Sequence, residues 1–408
     1  MPKLVRVSRR SLLGWAAAVG VAATGSVPAL AAPHHGALAT PVPQGFVGIV
    51  VDEPTWPNPY VNLPQQVDAM VATGVESVRV AIDWSQFQPF ASWAEVPASA
   101  RSRFVDAGGV PTDFTTLDEL VAAAAQRRIT VLPVIENAPG WDGQSYPGGI
   151  VAIPRTPGPY AAFVGALVRR YGHSGSFWRA NPGVPKVPIT MWQVWNEPNV
   201  QPAFWPPRPY YRRYVALLRA THNAIKAADS EAKVVLAGLP NYSWIEVARI
   251  NQIRGASRLY DVVAVHPYTK SPQGVITIIR YVRQQLDATG AAGKPILADE
   301  ISWPSSEGQT THDTGYDFAT TQAGQAQNVP QAVRLLAANR LRLGIAGFYY
   351  YDWAGQDRPN YLAFDFAGLF HFSNGDFQAK PVYDPFRVAA LSIEGCASKG
   401  PAATDCGH

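Results

Sequence analysis

Short apolar runs alternate with longer amphipathic stretches along almost the whole chain. Eight runs stand out: GFVGIVV (45–51), VESVRVAIDW (75–84), ITVLPVIEN (129–137), ITMWQVWNE (189–197), KVVLAGL (233–239), VVAVHPY (262–268), PILADEISW (295–303) and GFYYYDW (347–353). Each is β-branched or aromatic in character, as strands buried on both faces should be. Between them, LPQQVDAMVATG (63–74), TLDELVAAAAQRR (116–128), PYAAFVGALVRRYG (159–172), RPYYRRYVALLRATHNAIKAAD (208–229) and VPQAVRLLAANRLRLG (329–344) repeat apolar residues at three- and four-residue spacing. That is the helical period.

A strand–helix unit repeated eight times predicts parallel strands joined by crossover helices. Eight units suit a closed α/β sheet, a single (β/α)8 TIM barrel, whose C-terminal strand ends share one rim. The alternative is an open doubly wound sheet. Its commonest nucleotide signature, G-x-G-x-x-G after the first strand, does not occur here. The barrel is expected over 45–395, with the Pro/Gly-rich stretches 138–159 and 181–188 as loops within it.

Composition changes the picture at the two ends. Arg9-Arg10 precede a weakly apolar Ala/Gly-rich segment, Leu12 to Thr24, and Ala29-Leu30-Ala31 offers a small-x-small cleavage triplet. This pattern predicts a twin-arginine signal peptide over 1–31, and hence a secreted, extracellular protein. A second triplet, Ala37-Leu38-Ala39, leaves the cleavage point open, and 32–44 is expected to be a flexible segment. The segment is too short and too weakly apolar for a membrane anchor. The net charge is +4, but Lys3, Arg6, Arg9 and Arg10 all lie in the leader, which holds no acid. The mature chain is therefore close to neutral, and no nucleic-acid or anionic-membrane partner is expected.

The only cysteines are Cys396 and Cys406, in the tail 396–408. In an exported protein they are expected to pair and pin the tail, the alternative being two free thiols in a loose end. No His/Cys/Asp grouping has metal-ligand spacing, and there is no G-x-S-x-G elbow. No metal and no cofactor is expected.

The candidate chemistry sits at two run ends. The fourth run stops at Asn196-Glu197 and is closed by Pro198, in WQVWNEPNV; the seventh ends at Glu300, in ILADEISWP. A barrel would bring both to one rim. Two facing carboxyl groups are what glycoside hydrolysis requires: one, protonated, donates to the leaving oxygen, and the other, ionised, attacks the anomeric carbon.

VWNEPN and ADEISW together resemble the clan A glycoside hydrolases, and the resemblance spans essentially the whole mature chain. The stretch from Asn196 to Leu239 is most similar to family 39 and family 5-type bacterial enzymes. The resemblance implies a retaining β-glycosidase acting on a carbohydrate as a monomer. Glu197 would be the acid/base and Glu300 the nucleophile. Asn196 would bind the sugar 2-hydroxyl, and Arg79 would hold the nucleophile ionised. Tyr268 would donate to the nucleophile, with His266 beside it on the sixth run. Trp353 would floor the sugar site and begin a non-proline cis bond, Trp353–Ala354. Relatives place other residues around the nucleophile where this chain has Asp299. Strand alternation sends Asp299 and Glu300 to opposite sides, so only Glu300, which matches the family position, should face the cleft.

Other residues are placed by the runs alone. Asn137 would line the sugar site, with Glu136 behind it, and Asp52, Glu53 and Trp56 a subsite. His266 reads as a hydrogen-bonded core residue. The aromatics of AFWPPRPYY (203–211), with Trp141, Trp303 and Tyr361, offer stacking faces for sugars. Export and this aromatic rim point to an endo-acting enzyme. A non-catalytic glycan-binding barrel, or a transglycosylase using the same two glutamates, would share these features.

Overall fold

The structure, a computed structural model, describes residues 40–206, 209–310 and 316–408. The leader 1–31 and both cleavage triplets lie outside the described residues.

All eight expected strands form. They are β1 (Val47–Val50), β2 (Ser77–Asp83), β3 (Thr130–Glu136), β4 (Met191–Val194), β5 (Lys233–Val235), β6 (Val263–Val265), β7 (Ile296–Ile301) and β8 (Ile345–Tyr350). They pair in parallel in the order β6-β7-β8-β1-β2-β3-β4-β5. Isolated bridges Val235↔Val262 and Leu239↔Val265 join the two edges, so the sheet is a nearly closed (β/α)8 barrel. The crossover helices are α1 (Leu63–Ala72), α2 (Thr115–Gln126), α3 (Pro157–Tyr171), α4 (Tyr211–Ala228), α5 (Ser243–Asn251), α6 (Pro272–Ala288) and α7 (Gln322–Leu343), with α8 (Tyr383–Glu394) after the last strand. Among the described residues no helix is long and apolar enough to cross a membrane.

The core has two parts. Val50, Leu132, Val235, Ala264, Leu297 and Tyr349 belong to a small cluster of their own, filling the barrel interior. Most other buried apolar residues form one larger cluster between the strands and the helix ring. Side chains alternate along a strand. The interior-facing set therefore continues upward as Asp52, Glu136, His266, Asp299 and Tyr351. Register adds Arg79, which is paired with Val50, and Gln193, which is paired with Val134. The barrel mouth is lined with polar groups because the strands change from apolar to polar at one height.

Two expectations shift, and the expected pairing in the tail is met. Helix α7 begins at Gln322, seven residues before the predicted start, because Thr321 caps it by accepting from Gly324 N at 3.1 Å. Pro330, which reads as a helix start, lies inside it. Residues 40–44, expected to be flexible, are fixed instead: Val42 N donates to Ile393 O at 3.0 Å, and Arg340 donates to Thr40 O at 2.9 Å. The C-terminal tail is also docked. Cys396 and Cys406 form a disulfide, and buried Lys399 reaches Glu76 and Glu394 at 2.9 Å each.

Candidate active site

The end of β4 shows how the strand releases its acid. After Val194 the backbone leaves the regular ladder. Trp195 and Glu197 both take positive φ, 70° and 44°, a conformation costing a non-glycine residue about 1–3 kcal/mol. Trp195 anchors the turn: it is fully buried against Tyr160 and Trp205, and its Nε1 donates to Phe204 O at 3.1 Å. Glu197 N donates to Gly238 O at 3.1 Å. Asn196 and Glu197 thus both reach the mouth.

Glu197 and Glu300 meet there. Ligand-capable atoms of Glu197, His266 and Glu300 lie within 4.8 Å of one another. Arg79 Nη1 donates to Glu300 Oε1 at 2.7 Å, and Tyr268 Oη donates to Glu300 Oε2 at 2.7 Å. Arg79 Nη2 donates to Asn196 Oδ1 at 2.9 Å, and no protein group takes the Asn196 amide hydrogens among the described residues. The Tyr268 ring stacks on Phe318 at 4.9 Å and meets Phe364 edge-on at 5.1 Å, which fixes its hydroxyl.

Asp299 does not turn away. It is fully buried inside the barrel, where Gln193 Nε2 donates to it at 2.8 Å and Arg79 Nε lies 3.3 Å away. The register of β7 against β8 shifts between Ala298 and Ile301. A bulge of this kind lets consecutive residues share a side. Asp299 and Glu300 therefore both face inward, one below the other, and the alternation argument fails at this point.

His266 lies among three carboxylates. Its Nδ1 is 2.6 Å from Glu197 Oε1 and 3.4 Å from Glu300 Oε2, and its Nε2 is 3.4 Å from Asp299 Oδ2. Burial opposes its charge, but Glu300 and Asp299 outweigh burial and push its pKa up to about 10. Burial raises the Glu197 carboxyl above its ordinary range, and the His266 hydrogen bond only partly offsets this. Burial would also raise Asp299, but His266 and Arg79 hold it below its ordinary value. Burial, reinforced by adjacent Glu300, keeps the Tyr268 phenol protonated and donating.

Across the mouth, burial outweighs the opposing pull of Arg79 on Asp52 and Glu136. Burial raises Glu136 to about 8, with neighbouring Asp52 adding to it. Its Oε2 is buried without a hydrogen-bond partner. Asp52 is raised by burial to about 6.

Two expected site residues lie elsewhere. Trp353 packs between barrel and helices, donating from Nε1 to Gln66 Oε1 at 2.9 Å and lying 4.7 Å from the Phe370 ring. Tyr351 instead packs against the barrel-interior cluster beside Glu300, and the non-proline cis bond is Tyr351–Asp352, not Trp353–Ala354. Asn137 has its amide engaged in holding loops: Nδ2 donates to Asp83 at 3.0 Å, and Oδ1 accepts from Ala152 N at 2.9 Å. Most proposed stacking aromatics are packing residues. Trp205, Tyr210 and Trp303 are buried, and Trp141 donates to Gln88 O at 2.7 Å. Tyr361 alone of the named single aromatics is strongly exposed, at 44%. Sequence reading missed Gln193 and Tyr351. A glutamine in the otherwise apolar MWQV, and the parity of Tyr349 with Tyr351, are the signals that mark them.

Glu197, His266 and Glu300 are the residues whose spacing could hold a cation among the described residues. The Arg79 guanidinium, bonded to Glu300, and the charged His266 already supply positive charge at that point. A metal ion would meet repulsion there.

No known family profile and no curated protein matches the chain. Solved structures do match in fold. A monomeric β-xylosidase from Caulobacter crescentus CB15 is 20% identical, with a TM-score of 0.55 over 86% of this chain and 69% of that one. A glucosidase from Croceicoccus marinus gives 14%, 0.59, 87% and 68% respectively. The Ignisphaera aggregans GH53 catalytic domain gives 18%, 0.54, 87% and 99%. At these identities the likeness establishes a shared barrel fold.

Proposed function

We propose that this protein is a secreted retaining β-glycosidase of clan A type, hydrolysing O-glycosidic bonds of a poly- or oligosaccharide by double displacement. The single observation that carries this reading is the approach of the Glu197 and Glu300 carboxyl oxygens to within 4.8 Å. Retaining enzymes need carboxyl groups about 5–5.5 Å apart, whereas inverting ones need about 6.5–9.5 Å to admit water. The fold shared with a xylosidase, a glucosidase and a GH53 domain supports the same class. The family 39 or family 5-type assignment rests on the NEPN and ADEISW motifs, and export on the leader pattern.

The two glutamates are supported differently, as the mechanism requires. Glu300, held by Arg79 and Tyr268, attacks the anomeric carbon as the carboxylate. Glu197 is half-buried and accepts from His266 on Oε1, and its other oxygen delivers the proton to the leaving group. A glycosyl ester on Glu300 has lost its charge. The electrostatic push that raises Glu197 then falls, and Glu197 takes a proton from the attacking water. Water adds to the anomeric carbon and Glu300 leaves as carboxylate. Asn196 offers its amide nitrogen to the 2-hydroxyl, a contact that strengthens in the transition state.

The test is the stereochemistry of the first product. Proton NMR of the mature protein acting on β-linked glycans should show the β-anomer before mutarotation, and Glu197→Ala and Glu300→Ala should both abolish release. An α-anomer appearing first would overturn the retaining mechanism. Undiminished activity in either variant would remove that glutamate from its role.

A further inference from the structure

A second cavity of about 450 Å³ lies beside the mouth, at the β1 and β8 ends, with Glu53, Gln356, Arg358, Tyr361, Asp365 and Phe372 in its wall. It is continuous in sequence with the site. Glu53 follows Asp52, which ends the interior face of β1, and Gln356 lies five residues beyond Tyr351. Its size suits a small-molecule site. Its wall is preorganised. Arg358 is tied to Asp365 through backbone N at 2.6 Å and Nη2 at 2.8 Å, and its guanidinium lies 3.7 Å from the centre of the Tyr361 ring. Tyr361 is held through its carbonyl, which accepts from Thr310 Oγ1 at 2.6 Å. The Glu53 carboxylate and the Gln356 amide make no hydrogen bond to the protein among the described residues.

This wall has the character of a sugar site. Two aromatic rings offer apolar faces, and an unengaged amide and carboxylate offer partners for hydroxyls. Asp365 neutralises Arg358, so the cavity does not favour an anion. We infer that the cavity is a second glycosyl-binding subsite that takes a neutral pyranose of an extended β-linked chain, which deepens the glycosidase reading above and rests on it. Its side follows from the barrel. Glu197, on β4, protonates the leaving sugar, so that sugar lies on the β4 side. The cavity lies across the mouth, at β8 and β1, and holds the glycone end. The substrate is then a chain of at least two sugars on that side, and a single terminal sugar leaves the cavity empty.

The experiment compares 4-nitrophenyl β-glycosides carrying one, two and three sugars of whichever sugar the wild type cleaves. The wild type is expected to gain about tenfold in kcat/KM, worth about 1.4 kcal/mol, between the one-sugar and the longer substrates. Phe372→Ala and, separately, Gln356→Ala should remove most of that gain and leave the one-sugar rate unchanged. The unchanged one-sugar rate doubles as the check that each variant is folded. Absence of a length gain in the wild type, or its survival in both variants, overturns the inference while leaving the glycosidase reading intact. A wild type that cleaves no β-glycoside of any length overturns both.

Discussion

His266 Nδ1 lies 2.6 Å from Glu197 Oε1, closer than to either other carboxylate around it. The contact lowers the Glu197 pKa against the burial that raises it. His266 is therefore a positioning residue that tunes the proposed acid. Replacing it by alanine removes both the hydrogen bond and the charge, so the alkaline limb of the pH–kcat profile should move upward. An unmoved limb with reduced kcat would make His266 only a packing residue.

Arg79 joins two of the acids inside the barrel. It is buried, and it reaches both Glu300 and Asp299. In Arg79→Met both acids keep their places without their shared cation. Removing one partner of a buried ion pair costs about 3–5 kcal/mol, so denaturant midpoints should fall steeply along with activity. Arg79→Lys keeps the charge but has no planar fork to bridge two carboxylates and an amide. It should recover part of the stability and little of the rate. Equal stability of wild type and Arg79→Met would contradict this account.

Much of this was legible in the chain, and the failures have identifiable causes. The strands could be read because burial on both faces leaves nearly unbroken apolar runs. Glu197, Glu300, Arg79 and Tyr268 were singled out through motif and strand end, and the structure brings them together at one mouth. Asp299 was misread because a register shift is a property of two strands and leaves no mark in one. Trp353 was misread because the aromatic run 349–353 does not say which ring faces inward; the interior cluster, with Tyr349 and Tyr351, does. The His266–Glu197 pairing joins two strand ends from separate units and has no local signature.

Gly238 shows how tightly that pairing is built. A Cβ at this position would lie 2.0 Å from His266 Nε2, a distance no side chain tolerates. Gly238→Ala must therefore displace the imidazole, although it removes no titratable group. Its pH–kcat profile should shift in the same direction as that of His266→Ala, with smaller loss of stability than Arg79→Met. A profile identical to wild type would show that the ring can move without consequence for Glu197.

Glu136 makes a separate prediction for stability. Burial raises its pKa from 4.5 to about 8; the Arg79 charge only partly opposes this, and Glu136 Oε2 has no hydrogen-bond partner among the described residues. A carboxyl raised in the folded state binds its proton more tightly there than in the unfolded chain. Its stabilising effect is complete below about 4.5 and is lost as pH rises toward 8, at a slope of up to about 1.4 kcal/mol per pH unit. Glu136→Gln keeps the shape and cannot ionise. Its melting temperature should therefore climb relative to wild type between pH 5 and pH 8 and level off above, as differential scanning calorimetry would show. Asp52, raised to about 6, ends its own titration earlier in that interval, and it is common to both proteins, so it largely cancels. A difference in melting temperature that stays flat across the interval would mean that Glu136 is ionised throughout, and that the mouth offers it a cation or water the contacts here do not supply.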